Sequence, residues 1–383
     1  MHVLHIIDSM HGGGAESSIL EIVPGLERRG IETSIVTLLP DDGGLTGRLK
    51  GVGITPIRLR SRKSRPFGTS SELFAVIRSL RPDLVHTSLM YSNLFGRVSG
   101  RLAHVPVVTT LANLDYGPEH RAHSQVGSWA VRSAHGAELL TAPLTTRFHA
   151  ISHEVANVMR RRLRIPNNRI QVVYRGRDIG RLGVASPERR LSVRKSLGLK
   201  AETPLVLSVG RIDQQKGIDT TIRAFKSLSR DIPNAELLIA GRPGNAIAQI
   251  EKELLDSSNI RLLGHRSDIP DLMCAADVLS FPSRWEGLGG TVVEALALRL
   301  PLVASNIAPV AEVVGDVGWP LVRPDDPESL AKALLSIIVN TPSSDPRRDN
   351  AAKRFENLFT AEAASDGMVD FYDKALRSFR GSS

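Results

Sequence analysis

The sequence is poor in cysteine and has no long apolar run. Cys274 is the single cysteine among 383 residues, so no disulfide can form within the chain. A reducing compartment is the simpler expectation, and we therefore expect a cytoplasmic protein. The absence of any run of about 18 apolar residues predicts that no segment spans a membrane. The N-terminus MHVLHIIDSM lacks the charged segment and long apolar core of a signal peptide, and it predicts a buried first strand.

Several nucleotide and metal motifs are also missing. No G-x-x-x-x-G-K-[ST] segment is present, which excludes a P-loop nucleotide-hydrolysing enzyme. There is no Asp-x-Asp pair to hold Mn²⁺ or Mg²⁺, and the histidines lack the spacing of zinc ligands. We therefore expect neither a metal nor a cofactor.

A glycine run near the N-terminus, Gly12 to Gly14, does not complete a dinucleotide fingerprint. That fingerprint requires a further glycine where Ser17 stands and an acid at the end of the second strand. The strand ends Thr37-Leu38-Leu39-Pro40, without an acid. The pattern argues against an NAD site and leaves a loop that a ligand could approach closely.

The chain is basic, with 49 Lys and Arg against 40 Asp and Glu and a formal charge of +9. Two stretches concentrate this charge: Arg58, Arg60, Arg62, Lys63 and Arg65, and then Arg160, Arg161, Arg162 and Arg164. They are either solvated surfaces or patches that dock on anionic lipid or an anionic acceptor, which would place the protein at the inner face of the membrane. Since no aromatic residues alternate with these cations, we do not expect nucleic acid as a partner.

Short apolar runs alternate with helical patterns in both halves, which predicts an α/β protein with parallel sheets. The strands expected in the first half are Val3–Ile7, Ile31–Leu38, Leu84–His86, Val107–Leu111, Arg147–Ile151 and Ile170–Val173, with helices at Ser17–Arg29 and Ser71–Leu80. Those expected in the second are Pro204–Val209, Ala235–Ala240, Ile260–Leu263, Val278–Phe281 and Pro301–Ala304, with helices at Ile218–Ser229, Ala246–Leu255, Thr291–Leu298 and Glu328–Ile338. We expect two Rossmann-like domains, 1–180 and 181–361, and a terminal helix within 362–383 that packs back on the first.

Two cations follow the first strand of the second half. The segment LSVGRIDQQKGID places Arg211 and Lys216 on one strand-to-helix loop. Cations in this position can clamp a diphosphate and stabilise the charge that develops on a leaving phosphate. The alternative is a solvated loop with two ordinary cations.

Two carboxylates follow a later strand, in FPSRWEGLGGTVVEALAL. Glu286 lies on a glycine-rich loop and Glu294 on the helix after it. A carboxylate accepts hydrogen bonds from vicinal hydroxyls, so the pair could grip two points of an extended, sugar-containing ligand. Glu294 has apolar neighbours and therefore needs a partner. The amides of Leu288, Gly289, Gly290 and Thr291 begin the helix and can meet the sugar and diphosphate.

These motifs, in this order and spacing, resemble glycosyltransferase family 4. The matching segments are GGGAE from Gly12, VGRIDQQKG from Val209, and the Glu-x7-Glu pair of RWEGLGGTVVEAL. The resemblance implies retaining enzymes of the GT-B fold, in which two Rossmann-like domains face each other across a cleft. It also implies a nucleoside-diphosphate (NDP) sugar donor and a hydroxyl acceptor, either lipid-linked, a glycan or a small molecule.

Specific roles follow from the same resemblance. Arg211 and Lys216 would bind the donor diphosphate, Glu286 the transferred sugar and Glu294 the ribose. Gly13 and Gly14 would approach the phosphate, and the loop from His265 to Ile269 would lie beside the base. The catalytic residues would be Arg211, Lys216 and Glu286, with the departing phosphate taking the acceptor's proton.

The acceptor side departs from the family pattern. Many relatives carry a histidine after the strand matching Val107–Leu111, where this chain has Ala112 and Asn113. Arg175 replaces the usual asparagine of an NGVD-like segment. We expect Asn113 and Arg175 on the acceptor side, and His86 either as an acceptor contact or as a structural histidine.

Two alternatives to a glycosyltransferase stay open at this point. One is an NDP-sugar epimerase, which would not need a large acceptor cleft. The other is a non-catalytic protein that binds nucleotide sugars. Slow donor hydrolysis would separate a catalyst from a pure binder.

Overall fold

A computed structural model describes residues 1–11, 13–39, 45–60, 66–114, 128–254 and 257–381 of the chain. Gly12 and three cations of the first basic stretch, Arg62, Lys63 and Arg65, lie outside these ranges. The chain divides into two compact units. The first unit comprises Met1–Asp178 and Leu358–Ser383, and the second unit is Ile179–Asn357. The boundaries expected from the sequence were 180/181 and 361/362.

The first unit is built on a parallel sheet. Its strands are β1 (His2–Ile7), β2 (Glu32–Thr37), β3 (Ile57–Arg58), β4 (Leu84–Ser88), β5 (Val107–Leu111), β6 (Arg147–Ala150) and β7 (Ile170–Val172). They run in the order β3-β2-β1-β4-β5-β6-β7. All residues of β4 and β5 are buried, as expected of strands covered by helices on both faces.

Helices cover both faces of this sheet. They span Gly14–Arg28, Thr46–Gly51, Pro66–Leu80, Met90–Leu102, Ser128–Thr141, His153–Arg162 and Ala361–Arg380. Two glycines let Met90–Leu102 lie close to the sheet: a Cβ at Gly96 would lie 2.5 Å from Thr87, and one at Gly100 2.5 Å from Val107. The approach of this helix therefore depends on the missing side chains.

The last helix, Ala361–Arg380, packs on the first unit. Phe371 and Tyr372 are fully buried in a cluster with Val3 and Leu26. Burying one such aromatic side chain contributes about 1.5–3 kcal/mol. Gly25 makes room for Ser365, whose hydroxyl would lie 2.2 Å from a Cβ at that glycine.

The second unit has a parallel sheet of its own. Its strands are β8 (Leu205–Val209), β9 (Glu236–Ala240), β10 (Ile260–Gly264), β11 (Val278–Phe281), β12 (Leu302–Ser305) and β13 (Leu321–Val322), in the order β10-β9-β8-β11-β12-β13. Its helices span Ile179–Leu182, Pro187–Ser196, Ile218–Asp231, Ile247–Glu253, Ile269–Ala275, Gly290–Ala297, Ala308–Val314, Pro327–Asn340 and Pro346–Leu358.

Each sheet has one point where the strand order reverses. This point lies between β1 and β4 in the first unit and between β8 and β11 in the second. Loops leave the carboxyl ends of such strands in opposite directions and open a crevice, which is where doubly wound α/β proteins bind ligands. Within the described residues, no helix combines the length and the apolar character needed to cross a membrane.

Candidate active site

The structure brings the two charged motifs of the second unit together at its reversal point. The Lys216 ammonium donates to the Glu286 carboxylate at 2.5 Å. Glu286 is buried and Lys216 is half-buried. Two further hydrogen bonds join the same loops. The Gln215 side chain donates through Nε2 to the Trp285 carbonyl, and the Arg284 amide donates to the Gln215 carbonyl, both at 2.8 Å. The loops after β8 and β11 therefore form one site.

Asp213 organises the loop that carries both cations. One of its carboxylate oxygens accepts from the Lys216 amide at 3.2 Å, and the other accepts from Arg211 Nε at 2.5 Å. Asp213 is buried, whereas the Arg211 side chain is 63% exposed. Asp213 thus holds Arg211 at Nε, while most of the Arg211 side chain stays exposed to solvent. The sequence analysis did not single out Asp213, although its spacing from both cations fits a residue that caps the short Gln214–Lys216 turn.

Glycine is required immediately after Lys216. Gly217 has φ +63°, a backbone conformation that other residues rarely adopt, and a Cβ there would lie 2.3 Å from the Pro282 carbonyl oxygen. The close approach lets the two loops touch. The stem of Lys216 also passes over Gly210, where a Cβ would lie 3.2 Å from Lys216 Cγ.

The helix Gly290–Ala297 presents its N-terminus to this site. Its cap residue, Gly289, has φ +96° and supplies no side-chain hydrogen bond. The first helical bond to the Gly289 carbonyl comes from Val292, so the helix itself provides no partner for the amides of Gly290 and Thr291. Together with the positive end of the helix dipole, these amides suit an anionic ligand. Leu288, which precedes them, is buried.

Glu294 lies on the second turn of that helix and is half-buried. It pairs with Arg181, whose Nη2 lies 3.2 Å from Glu294 Oε1. The sequence analysis expected a partner for this carboxylate but did not identify it, because Arg181 lies 113 residues earlier. The pair orients the Glu294 carboxylate.

His265 and Ile269 lie on the loop that follows β10. His265 is exposed, and Ile269 begins the helix Ile269–Ala275. Between them, Arg266 donates two hydrogen bonds to Asp268, at 2.8 and 2.5 Å. This pair fixes the turn, so the loop presents His265 at the same carboxyl edge as the strands that carry Arg211 and Glu286.

In the first unit, Arg175 lies beside the glycine loop. Its Nη1 is 3.7 Å from the place that a Cβ of Gly14 would occupy, and Gly13 caps the helix that follows. Burial and, to a lesser extent, repulsion by Arg177 lower the pKa of Arg175 to about 10, against the opposing effect of Glu16. Arg175 therefore stays charged at neutral pH, next to backbone that an anion could approach.

His86 belongs to a buried network, which corrects the expectation of an acceptor contact. Its Nδ1 bonds with the Tyr372 hydroxyl at 2.8 Å and its Nε2 with the Thr110 hydroxyl at 2.6 Å. His5 lies 4.8 Å away and His149 6.3 Å away, measured between ring centroids. Burial, followed by the two neighbouring rings, lowers the pKa of His86 well below its ordinary value. With both nitrogens occupied and the ring buried, His86 is structural.

Asn113 opens onto a cavity of about 460 Å³ at the carboxyl edge of the first sheet. The cavity is lined mainly by apolar side chains, with Asp8 and Glu138 as its carboxylates. Asp8 Oδ1 accepts from both the amide and the hydroxyl of Ser92 at 2.7 Å, yet burial raises the pKa of Asp8. Sequence reasoning missed this cavity because its residues come from five separated segments.

Leu89, at the wall of this cavity, has an unusual backbone. Its φ of +76° and ψ of 165° fall in a region that glycine alone adopts readily. Such a conformation costs about 1–3 kcal/mol and is found mostly at functional sites. It lies at the reversal point of the sheet, where a ligand crevice is expected.

No group of three or more His, Cys, Asp or Glu residues within the described ranges could hold a metal ion. Cys274 is buried, and burial raises the pKa of its thiol, which makes it a poor nucleophile.

Comparison with known families accounts for most of the chain. The model described as Glycosyltransferase Family 4 matches residues 12–181, and the model described as Glycosyl transferases group 1 matches residues 190–354. The first match ends and the second begins near the junction of the two units, and the second includes Arg211, Lys216, Glu286 and Glu294.

Individual relatives are similar along most of their length. The chain is 27% identical to the UDP-Gal:alpha-D-GlcNAc-diphosphoundecaprenol alpha-1,3-galactosyltransferase of Escherichia coli, over 78% of this chain and 77% of that one. It is 26% identical to the alpha-D-kanosaminyltransferase of Streptomyces kanamyceticus, over 97% and 99%. Anabaena HepE in complex with UDP-glucose shares the fold, with a TM-score of 0.84, 19% identity, and coverage of 98% and 100%.

Proposed function

We propose that this chain, which belongs to glycosyltransferase family 4, transfers a sugar from an NDP-sugar to a hydroxyl acceptor with retention of the anomeric configuration. One observation carries the proposal: Lys216 and Glu286 form a half-buried ion pair that unites the cationic loop and the glycine-rich loop. Lys216 can bind an anion and Glu286 can bind hydroxyls, and the two groups are in direct contact. An NDP-sugar presents phosphate and sugar hydroxyls equally close together, on either side of its phosphate–sugar bond.

The donor diphosphate is bound by Arg211, Lys216 and the amides of Gly290 and Thr291. Lys216 uses one of its three N–H donors for Glu286, and two remain for phosphate oxygens. Arg211 is exposed at its tip and can reach the same anion.

The sugar and nucleoside are bound on either side of the diphosphate. Glu286 accepts from hydroxyls of the transferred sugar through the oxygen that Lys216 does not occupy. Glu294, oriented by Arg181, accepts from the ribose hydroxyls. His265 and Ile269 lie beside the base. The Escherichia coli relative is named for UDP-galactose, and a relative from Corynebacterium glutamicum, 29% identical over 43% of this chain, is named as GDP-mannose-dependent. The family therefore accommodates both bases.

The reaction needs no side-chain base. The bond from the anomeric carbon to the leaving diphosphate breaks, and the acceptor oxygen bonds to that carbon on the same face. The acceptor proton passes to the departing phosphate oxygen, so charge and atoms balance. Arg211 and Lys216 stabilise the charge that accumulates on the diphosphate, the task that Mn²⁺ performs in other sugar transferases.

The acceptor enters the cavity next to Asn113. Its apolar walls suit the body of an acceptor, and its few polar groups can orient one hydroxyl. The relatives act on a diphosphoundecaprenol-linked sugar and, by name, on inositol 3-phosphate, so lipid-linked and small polar acceptors are both represented.

Product analysis tests this function. Purified protein is incubated with UDP-, GDP-, ADP- and TDP-sugars, and the released NDP and sugar are followed with and without an acceptor. We expect slow hydrolysis of one donor, transfer when an acceptor is present, and a product with the donor's anomeric configuration by NMR. An inverted product would refute retention, C2-epimerised donor would favour an epimerase, and binding without any turnover would favour a non-catalytic protein.

Metal chelation tests the metal-free scheme in the same assay. Activity should be unchanged after treatment with EDTA. A loss of activity that Mn²⁺ restores would show that a metal, and not Arg211 with Lys216 alone, stabilises the leaving group.

A further inference from the structure

A second, cationic cavity lies at the amino edge of the first sheet, opposite the edge that carries the site described above. It measures about 660 Å³. Four of its lining residues are basic: Arg101, His104, Arg147 and Arg169. None of its described lining residues is acidic. These cations come from the ends of the elements that precede β5, β6 and β7, so the topology of the sheet gathers them at one place.

Arg147 is not neutralised within the protein. Its Nε is buried and has no hydrogen-bond partner among the described residues. Burial lowers the pKa of Arg147, and the negative charge of Asp370 offsets this effect in part. That carboxylate already accepts from Lys374 at 2.5 Å and from Gln171 at 3.0 Å. An anion in the cavity would offset the positive charge of this guanidinium.

Backbone carbonyl groups, and not carboxylates, accept the hydrogen bonds that hold Arg169 next to Arg147. It donates to the carbonyls of Thr146 at 3.2 Å and Pro143 at 3.4 Å. Repulsion by Arg147 contributes, after burial, to a lowered pKa of Arg169. Two cations kept close against their mutual repulsion form a pocket with the charge and geometry for a phosphate group.

Two exposed leucines lie close in sequence to residues that line this cavity. Leu102, next to Arg101 in sequence, is 61% exposed, and Leu140, three residues before Pro143, is 81% exposed. The helix of Leu102 packs against the short turn Ala142–Leu144 that follows Leu140. Exposed leucines beside a cationic pocket match the two parts of an amphiphile, an acyl region and an anionic headgroup.

We propose that this cavity binds the phosphate of an anionic phospholipid headgroup, with Leu102 and Leu140 at the acyl boundary. The surface differs from both basic stretches recognised in the sequence, Arg58–Arg65 and Arg160–Arg164. It is also independent of sugar transfer, because none of its residues belongs to the donor or acceptor site.

Vesicle co-sedimentation tests the proposal with the full-length protein. Binding to phosphatidylglycerol vesicles is compared with binding to phosphatidylcholine vesicles, for the wild type and for the double variant Arg147→Gln/Arg169→Gln. The matched control, Arg161→Gln/Arg164→Gln, removes the same charge from an exposed surface. We expect binding to phosphatidylglycerol alone, weakened by salt and reduced roughly 30-fold by the loss of two cations from the docking surface.

A second variant guards against misfolding. Leu102→Asn/Leu140→Asn changes exposed side chains alone and should weaken vesicle binding while leaving the melting temperature and donor hydrolysis unchanged. Equal losses in the Arg161/Arg164 control would show a general charge effect and overturn the proposal. So would unaltered binding in both test variants, or binding of soluble glycerol phosphate through Arg147 and Arg169 with no binding of vesicles.

Discussion

The carboxyl edges of the two sheets share a topology and differ in chemistry. In the second unit, the reversal point carries exposed Arg211, the Lys216–Glu286 pair and uncapped helix amides. In the first, it carries an apolar cavity beside Asp8 and Asn113. The same strand arrangement thus supplies a charged site suited to a diphosphate in one unit and a more apolar cavity suited to the apolar part of an acceptor in the other. Loops, not the sheet, decide what each edge can bind.

The largest expected effect is on kcat, and it comes from a substitution at the carboxyl edge of the second sheet. Lys216→Ala should lower kcat by about 100- to 1000-fold, the range seen when one donor to a developing negative charge is removed. Donor affinity should change less, since Arg211 and the helix amides remain. Initial rates over a donor concentration series measure both quantities.

The control for this variant is Lys226→Ala, which removes an exposed lysine of the same unit that bonds only to the Glu253 carbonyl. An unchanged kcat in Lys216→Ala would remove Lys216 from leaving-group stabilisation. A fall in affinity with kcat preserved would give it a role in ground-state binding alone.

The second prediction concerns the backbone that joins the loops of the second unit. Gly217 and Gly198 have nearly the same φ, +63° and +71°, but a Cβ at Gly198 meets nothing within 4 Å. Gly198→Ala should lower the free energy of unfolding by about 1–2 kcal/mol, because alanine is strained in the left-handed conformation. Gly217→Ala should cost more, because its Cβ would meet the Pro282 carbonyl, and it should weaken donor binding.

Thermal unfolding of the pair checks this comparison. A loss of 1 kcal/mol lowers the melting temperature by about 2–4 °C in a unit of this size. Equal shifts in the two variants would mean that the contact at Pro282 does not constrain the loop.

A third, smaller effect is expected at Glu294. Glu294→Gln should weaken nucleotide binding about tenfold, since a hydrogen bond to a charged group contributes roughly 1.5–3 kcal/mol. Glu251→Gln, on an exposed helix surface of the same unit, is the control. Calorimetric titration with the free NDP measures both. Unaltered affinity in Glu294→Gln would leave the ribose without its proposed partner.

The smallest effect is confined to the first unit and depends on pH. Burial lowers the pKa of His5 and of His149 to about 4, from 6.5. The unfolded chain therefore binds protons more readily, so the stability of this unit is complete above about pH 6.5 and declines as the pH falls toward 4. Since neither His5 nitrogen has a hydrogen-bond partner among the described residues, His5→Leu should reduce this acid sensitivity. Melting temperatures from pH 7 to pH 4.5 test it, and an identical slope in the variant would contradict the assignment.

The fold was largely predictable because both sheets are buried. Val107–Leu111 and Val278–Phe281 agree with the expected strands residue for residue, since continuous apolar runs have few other solutions in an α/β protein. The helix Met90–Leu102 was missed. Gly96 and Gly100 have low intrinsic helix propensity, so the local sequence argues against a helix here. Both glycines allow close contact with the sheet, and this tertiary contact cannot be read from the local sequence.

The candidate site was predictable to a lesser extent. Arg211, Lys216, Glu286 and Glu294 could be found because each lies in a short motif next to a strand. Their partners Asp213 and Arg181 could not be assigned, since pairing depends on tertiary contacts. The sequence left His86 open as an acceptor contact or a structural histidine for the same reason: its partner Tyr372 lies 286 residues away.

A crystal structure with the bound NDP tests the central claim most directly. We predict that the diphosphate contacts Arg211, Lys216 and the first amides of the helix Gly290–Ala297, with the ribose hydroxyls on Glu294. A nucleotide seated elsewhere, with Lys216 and Glu286 still paired and touching no ligand, would contradict it.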